Sequence, residues 1–162
     1  MSDISTRITR LEDIESIKQL KASYFHACDR KDIQGIRSCF AAGDIVINYG
    51  AIGNFNNREQ LIEIFEEMAI KAGVIDAHHG QNPRIEWHTE TAASGIWDLY
   101  FYQVNPGAQT VTQLTGYYHD KYQKQNGVWQ IIETVFTVSS SVVANYQKED
   151  LKILFAGVAP SA

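Results

Sequence analysis

Apolar side chains recur at three- and four-residue steps at Leu11, Ile14, Ile17, Leu20, Tyr24, Phe25 and Cys28, with Lys18 and Lys21 inside the same stripe. This spacing predicts an amphipathic helix over about residues 9–30, with Tyr24 on its inner face. Asp29 falls at the C-terminal end, where a carboxylate opposes the helix dipole and needs a compensating partner. The segment Asp29-Arg30-Lys31-Asp32 then turns the chain into a short second helix, about Ile33 to Phe40. Ile45 to Gly50 is a β-branched run closed by turn residues, as in a strand, and Ala51 to Phe55 is placed to return as a hairpin arm. Asn56 or Asn57 can cap a third helix, in which Leu61, Ile62, Ile64, Phe65 and Met68 keep helical spacing until Gly73 stops it.

From Ile75 the periodicity changes to extended segments over 75–79, 83–89, 91–104, 109–125 and 128–143. Turn signals stand at Asn105-Pro106-Gly107 and Gln125-Asn126-Gly127. Helices gathered early and strands late predict an α+β fold, a curved antiparallel sheet closed by three helices on one face and enclosing a pocket. The chain reads as one domain over 1–162, with a core of about 9–143 and a tail of 144–162. Leu151, Ile153, Leu154 and Phe155 give that tail an amphipathic segment suited to covering the pocket mouth or a neighbouring subunit.

Composition narrows the function classes. The 162 residues are 44% hydrophobic and 20% charged, with three prolines, as in an ordinary globular domain. A net charge of −5 leaves no basic footprint, so neither nucleic acid nor an anionic membrane surface is an expected partner. Residues 1–10 lack the apolar centre of a signal peptide, and no apolar run approaches the ~20 residues of a membrane span, so a cytoplasmic location is expected. Cys28 and Cys39 read as buried free thiols and lack the paired spacing of a zinc site.

Five histidines are candidates for chemistry: His26, His78, His79, His88 and His119. On a strand His78 and His79 point to opposite faces, so at most one enters a cavity and the two do not chelate one metal. Neither carries the helical spacing of a metallohydrolase, and no metal is expected. A neutral imidazole acting as a base needs a group to fix its tautomer and offset the imidazolium charge, and Asp29 is the candidate to pair with His78 in a buried dyad. A tyrosine can supply the complementary acid, with Tyr24 and Tyr49 best placed among the eight. Alternation along the strands points Trp97, Leu99, Phe101, Leu114, Tyr118, Thr134, Phe136 and Val138 inward as an apolar wall. From the residues alone, packing roles for His78 and for any one tyrosine stay open.

The residues Lys18 to Asp29, Ile47-Asn48-Tyr49, Ala77 to Glu86, Tyr118 to Tyr122 and Asn126 to Trp129 together resemble the SnoaL-like division of the nuclear transport factor 2-like superfamily, over about residues 9–140. Within it the likeness is to scytalone dehydratase, bile-acid 7α-dehydratase and hexachlorocyclohexane dehydrochlorinase, all eliminases. The resemblance implies a cone-shaped α+β barrel in which Asp29 supports His78 as the proton-removing base. Tyr49 and Tyr24 match pocket tyrosines of those enzymes. It also implies catalysis without a cofactor and a homo-oligomer, either trimer or dimer. Phe101 stands where the bile-acid enzyme has an acidic residue, Val138 where it has an arginine, and Trp97 where scytalone dehydratase has a second histidine. The expectation is thus a lyase, or an isomerase using the same pair, acting on a hydrophobic cyclic, polyketide- or terpenoid-like metabolite. The alternatives are a SnoaL-like polyketide cyclase and a non-catalytic small-molecule-binding or assembly module.

Overall fold

A computed structural model describes residues 3–70 and 73–146. Helix α1 (Ile4–Arg30) starts more than a turn earlier than its apolar periodicity suggests. Its first turns bury little: Ile4, Ile8 and Leu11 are all exposed, so Leu11 lies outside the stripe predicted for it. The face that meets the sheet carries Asp13, Ile17, Lys21, Tyr24, Phe25, Ala27 and Cys28. The helix stops where Lys31 takes a left-handed conformation (φ 59°) and the N–H groups of Lys31 and Asp32 turn back onto the carbonyls of Cys28 and Ala27.

Helix α2 (Ile33–Cys39) is capped by Asp32, whose carboxylate accepts from the Gly35 amide at 2.9 Å. Strand β1 (Val46–Asn48), a single 3₁₀ turn (Gly50–Ile52) and strand β2 (Asn54–Phe55) follow. Asn57 caps α3 (Arg58–Ala69) by accepting from the Gln60 amide at 3.0 Å. That helix ends before Gly73, because Ile70 already leaves helical geometry (ψ 78°).

The remaining strands are β3 (Ile75–Thr89), β4 (Ala92–Asn105), β5 (Thr110–Gln125) and β6 (Val128–Asn145). The sheet order is β2-β1-β6-β5-β4-β3, antiparallel except for the parallel pair β1 and β6. The segments 75–79 and 83–89 are one strand, not two. A register shift between Gln81 and Arg84, with Asn82 left-handed (φ 50°), bulges β3 and gives room to Pro83, which has no ladder donor. The core lies between α1, α2 and the sheet, around Ile17, Ile36, Phe40, Ile47 and Ile131. Among the described residues no helix is long and apolar enough to cross a membrane. The amphipathic segment at Leu151–Phe155 lies outside the described residues.

Two buried polar contacts fix α1 on the sheet. Asp13 accepts from Lys124 Nζ (2.6 Å), Trp129 Nε1 (2.9 Å) and Trp87 Nε1 (3.3 Å), one donor from each of three strands. Lys21 and Asp120 form a fully buried ion pair at 2.7 Å. Asp120 also accepts from Tyr122 Oη (2.7 Å), which in turn accepts from Trp97 Nε1 (2.9 Å). The Lys21 ammonium lies 3.7 Å from the Tyr118 ring centroid.

Removing one member of a buried ion pair strands the other charge in the core. Lys21→Met should therefore cost about 3–5 kcal/mol, and adding Asp120→Asn should recover part of that loss in chemical denaturation. A double variant no more stable than Lys21→Met would rule the pairing out. Burial alone would raise the Asp13 carboxyl, but the hydrogen bonds from Lys124, Trp129 and Trp87 outweigh it and hold it below its ordinary range. Its stabilisation is complete above the unfolded carboxylate value, about 3.9, and is lost as pH falls through the lower folded value. Asp13→Asn should be less stable than wild type near pH 7, with a gap that narrows toward about pH 2 in urea melts.

Candidate active site

Asp29 leaves the last turn of α1 directly opposite β3. Its Oδ1 lies 2.6 Å from His78 Nδ1, while both carboxylate oxygens accept the His78 backbone N–H, at 3.1 and 3.2 Å. One side chain thus holds both the ring and the main chain of the histidine and meets the partner requirement set by the helix dipole. A carboxylate only accepts, so the neutral imidazole carries its proton on Nδ1 and keeps the Nε2 lone pair free. Phe25 lies nearly parallel to the imidazole (centroids 5.8 Å, 12°), and Phe101 packs against it at 4.7 Å. The expectation of a buried pair needs correction: the side chains of His78 and Asp29 remain 17% and 28% exposed. The opening is an outer cleft formed with His26, His79, Gly80 and Trp97, so the dyad can be reached from two sides.

On the inner side His78 borders a cavity of about 280 Å³. Tyr24 and Tyr49 enter it with their hydroxyls 2.8 Å apart. Burial, above all, pushes both phenols well up, so they remain protonated donors through the neutral range. The two phenols share one hydrogen bond and act as a unit. Helix α3 supplies the apolar wall through Leu61, Ile64, Phe65, Met68 and Ala69, the i, i+3, i+4, i+7, i+8 face. Phe101 closes the β4 side, and Asp76 and Gln103 add two polar groups.

The other expected wall residues are distributed differently. Tyr118 packs edge-on beneath Tyr49 (6.0 Å, 80°) and against Phe136 (4.6 Å), while Leu99 is buried in the core; these three support the cavity without lining it. Trp97 borders the outer cleft and is spent on Tyr122. Val138 is a correction: it is 51% exposed, because β6 is covered only as far as Phe136 and both its faces are open from Thr137 to Val143. His26, His79, His88 and His119 are exposed, and His88 bonds Ser94 Oγ at 2.9 Å. Cys28 and Cys39 are buried free thiols; burial pushes Cys28 up to about 12, which denies it thiolate character near neutrality.

Sequence reasoning missed α3 as a cavity wall and Asp76 and Gln103 as cavity groups. The α3 stripe was visible, but its spacing does not say whether it packs against protein or borders a void. Asp76 carried a signal, since strand alternation puts residues 76 and 78 on one face.

A helix-end carboxylate bonded to a strand histidine, facing a pocket under a bent sheet, can be compared with known families. A model described as a SnoaL-like domain matches residues 9–135. The chain belongs to the SnoaL-like family. Solved structures give this SnoaL-like chain its neighbours. It is similar to a type 2 hexachlorocyclohexane dehydrochlorinase (TM-score 0.79, 16% identity, covering 95% of this chain and 97% of that one). It is also similar to a Novosphingobium aromaticivorans protein provisionally named scytalone dehydratase (TM-score 0.77, 17% identity, 96% and 99%). A Mycobacterium tuberculosis protein of unknown function matches as well (TM-score 0.69, 21% identity, 80% and 73%). At these identities the likeness establishes the nuclear transport factor 2-like fold, shared with dehydrochlorinases and dehydratases as well as with proteins of unknown function.

Gly80 is why Phe25 can stack on His78. A Cβ built there falls 2.3 Å from Phe25 Cε2, against a ring that is itself buried. Gly80→Ala should cost about 1–3 kcal/mol by overpacking and shift the His78 ring resonances in nitrogen-15 NMR. Unmoved resonances would show that the stacking does not depend on Gly80.

Proposed function

We propose that this SnoaL-like protein is a lyase that eliminates water, or a similar leaving group, from a hydrophobic cyclic ketone by general acid–base catalysis. The observation that carries this reading is the 2.6 Å bond from Asp29 to His78 Nδ1 on the border of a cavity that also holds the Tyr24–Tyr49 pair. His78 Nε2 takes the proton from the carbon next to the carbonyl, and Asp29 offsets the imidazolium charge. The tyrosine pair donates a hydrogen bond to the carbonyl oxygen as enolate charge develops there. As the neighbouring C–O bond breaks, the enolate electrons form the C=C bond. The departing hydroxide takes the proton back from His78 and leaves as water, so the dyad returns to its starting state.

The cavity's make-up supports an apolar substrate body, since five α3 side chains and Phe101 face it. The helix-end carboxylate and the strand histidine also support an enzyme over a purely assembling module, because a scaffold gains nothing from an oriented imidazole beside a void. The fold's occurrence among dehydrochlorinases and dehydratases is consistent with elimination. The same proton transfer, with the proton returned to another carbon, would give isomerisation instead.

Purified wild type and His78→Ala are to be incubated with a panel of hydroxylated cyclic ketones and the products followed by mass. Loss of one water mass, slowed by about 10²–10⁴-fold in the variant, is expected. A new retention time at unchanged mass would replace elimination with isomerisation or cyclisation. Ligand binding without conversion would replace the enzyme with a binding module.

A further inference from the structure

A second hydrogen-bonded histidine stands on the opposite face of the sheet from the cavity. Along β3 the exposed Arg84, Glu86 and His88 alternate with Ile85 and Trp87, and Trp87 points toward α1 to bond Asp13. Arg84, Glu86 and His88 therefore face away from α1. On β4 Ser94 lies directly across from Glu86, between the buried Ala93 and Gly95, and shares that outer face.

His88 owes its position to a bulge. The ladder passes from Trp87 opposite Ala93 to Thr89 opposite Ala92, so His88 has no partner of its own on β4. Its ring leans onto Ser94, with Nε2 2.9 Å from Oγ, while Nδ1 lies 3.9 Å from Glu86 Oε1. A carboxylate beside Nδ1 favours the tautomer that carries its proton there, which leaves the Nε2 lone pair to accept the Ser94 O–H. Hydroxyl, imidazole and carboxylate then stand in the order of nucleophile, base and orienting group. Ser94 also opens onto a surface pocket of about 300 Å³ that Arg84, Ile96 and His119 help to line. Arg84 pairs with Ile96 across the ladder, one same-face step from Ser94, a diagonal that a long side chain spans.

We infer that Ser94, His88 and Glu86 form a second site, separate from the Asp29–His78 dyad, that cleaves small carboxylic esters through an acyl-serine. Ser94 Oγ bonds to the ester carbonyl carbon while its proton passes to His88 Nε2. The carbonyl electron pair moves onto oxygen, where the Arg84 guanidinium donates hydrogen bonds. As the carbonyl re-forms, the C–O bond to the alcohol breaks and the leaving alkoxide takes the proton from His88. Water then attacks the acyl carbon and gives a proton to His88; the bond to Ser94 Oγ breaks, Oγ recovers that proton, and the acid leaves. The exposure of the site, 44% for the His88 side chain and 79% for that of Glu86, admits this water. Exposure also weakens each electrostatic interaction, so esters with good leaving groups are the substrates that suit it.

The test treats the protein with an ethyl fluorophosphonate, which marks activated serines: Oγ forms the P–O bond, fluoride leaves and His88 takes the proton. The modified residue is located by peptide mass and its rate of modification measured, with hydrolysis of 4-nitrophenyl acetate followed in parallel. Modification at Ser94 is expected, slowed about tenfold in His88→Gln and by a smaller factor in Glu86→Gln, with nitrophenol release falling in the same order. Ser94→Ala should take no label at this strand. None of the three residues belongs to the core, so the variants should keep the wild-type circular dichroism. Absence of label on Ser94, label confined to lysines or tyrosines, or a rate at Ser94 that His88→Gln leaves unchanged would each overturn the site. So would ester hydrolysis by wild type no faster than by Ser94→Ala.

Discussion

The site depends on the position of α1 along the sheet. Asp13, Lys21 and Asp29 follow one another at intervals of eight residues, a little over two turns, so each successive contact is turned about 80° further round the helix. Each meets the sheet through a polar contact: Asp13 with Trp87, Lys124 and Trp129, Lys21 with Asp120, and Asp29 with His78. Hydrophobic packing alone tolerates sliding, because it has no direction. Directed bonds at three points along about 24 Å of helix do not. From His78 to Trp87 the strand would span about 30 Å if fully extended, and β3 is kinked by register shifts at 81/84 and 87/89. The bulges bring the strand closer to the helix's length, so the same two elements can be pinned at both ends.

This arrangement explains how much could be read from the chain. The α+β order, the three helices and the long strands were legible because their apolar periods are strong over many residues. The pairing of Asp29 with His78 was suggested by chemical need, a helix-end carboxylate wanting a partner and an imidazole base wanting a carboxylate, and the family resemblance matched both positions; nothing local to either residue names the other. Asp13 and Lys21 sit inside the apolar stripe of α1, and their partners lie on β3, β5 and β6, about a hundred residues away for most of them. A stripe pattern treats such residues as defects when they are in fact the anchors. Val138 failed for a different reason. Alternation tells which face of a strand a residue occupies, whereas burial also needs another element to cover that face, and coverage of β6 stops at Phe136.

The electrostatic division of the site follows from its packing. The deepest groups, Tyr24 and Tyr49, are kept neutral by burial, and the ionisable pair sits where part of it still meets solvent. A fully buried dyad would have to bear the whole desolvation cost of the Asp29 charge. Partial exposure reduces that cost, while the bond to Nδ1 and the stacked Phe25 keep the imidazole in one orientation. The phenols gain from the opposite environment, because a neutral donor in a low-dielectric pocket interacts more strongly with charge developing beside it.

The pleat of β3 and β4 orders these groups along one line. Reading down the inner face, the cross-strand pairs are Asp76 with Gln103, His78 with Phe101, and Gly80 with Leu99. The first pair is polar, and the second sets the base against an aromatic ring. The third has no side chain on its β3 member, so Phe25 of the helix occupies that space and completes the packing on His78. His79 on the same strand faces outward beside Tyr100. A slip of one residue in β3 would turn His79 inward and remove Asp76, His78 and the Gly80 gap together. Register is therefore the constraint under which the site exists as a unit. It is held by the same Asp29 carboxylate that binds the His78 main-chain N–H, so the residue that orients the imidazole also fixes the strand that presents it.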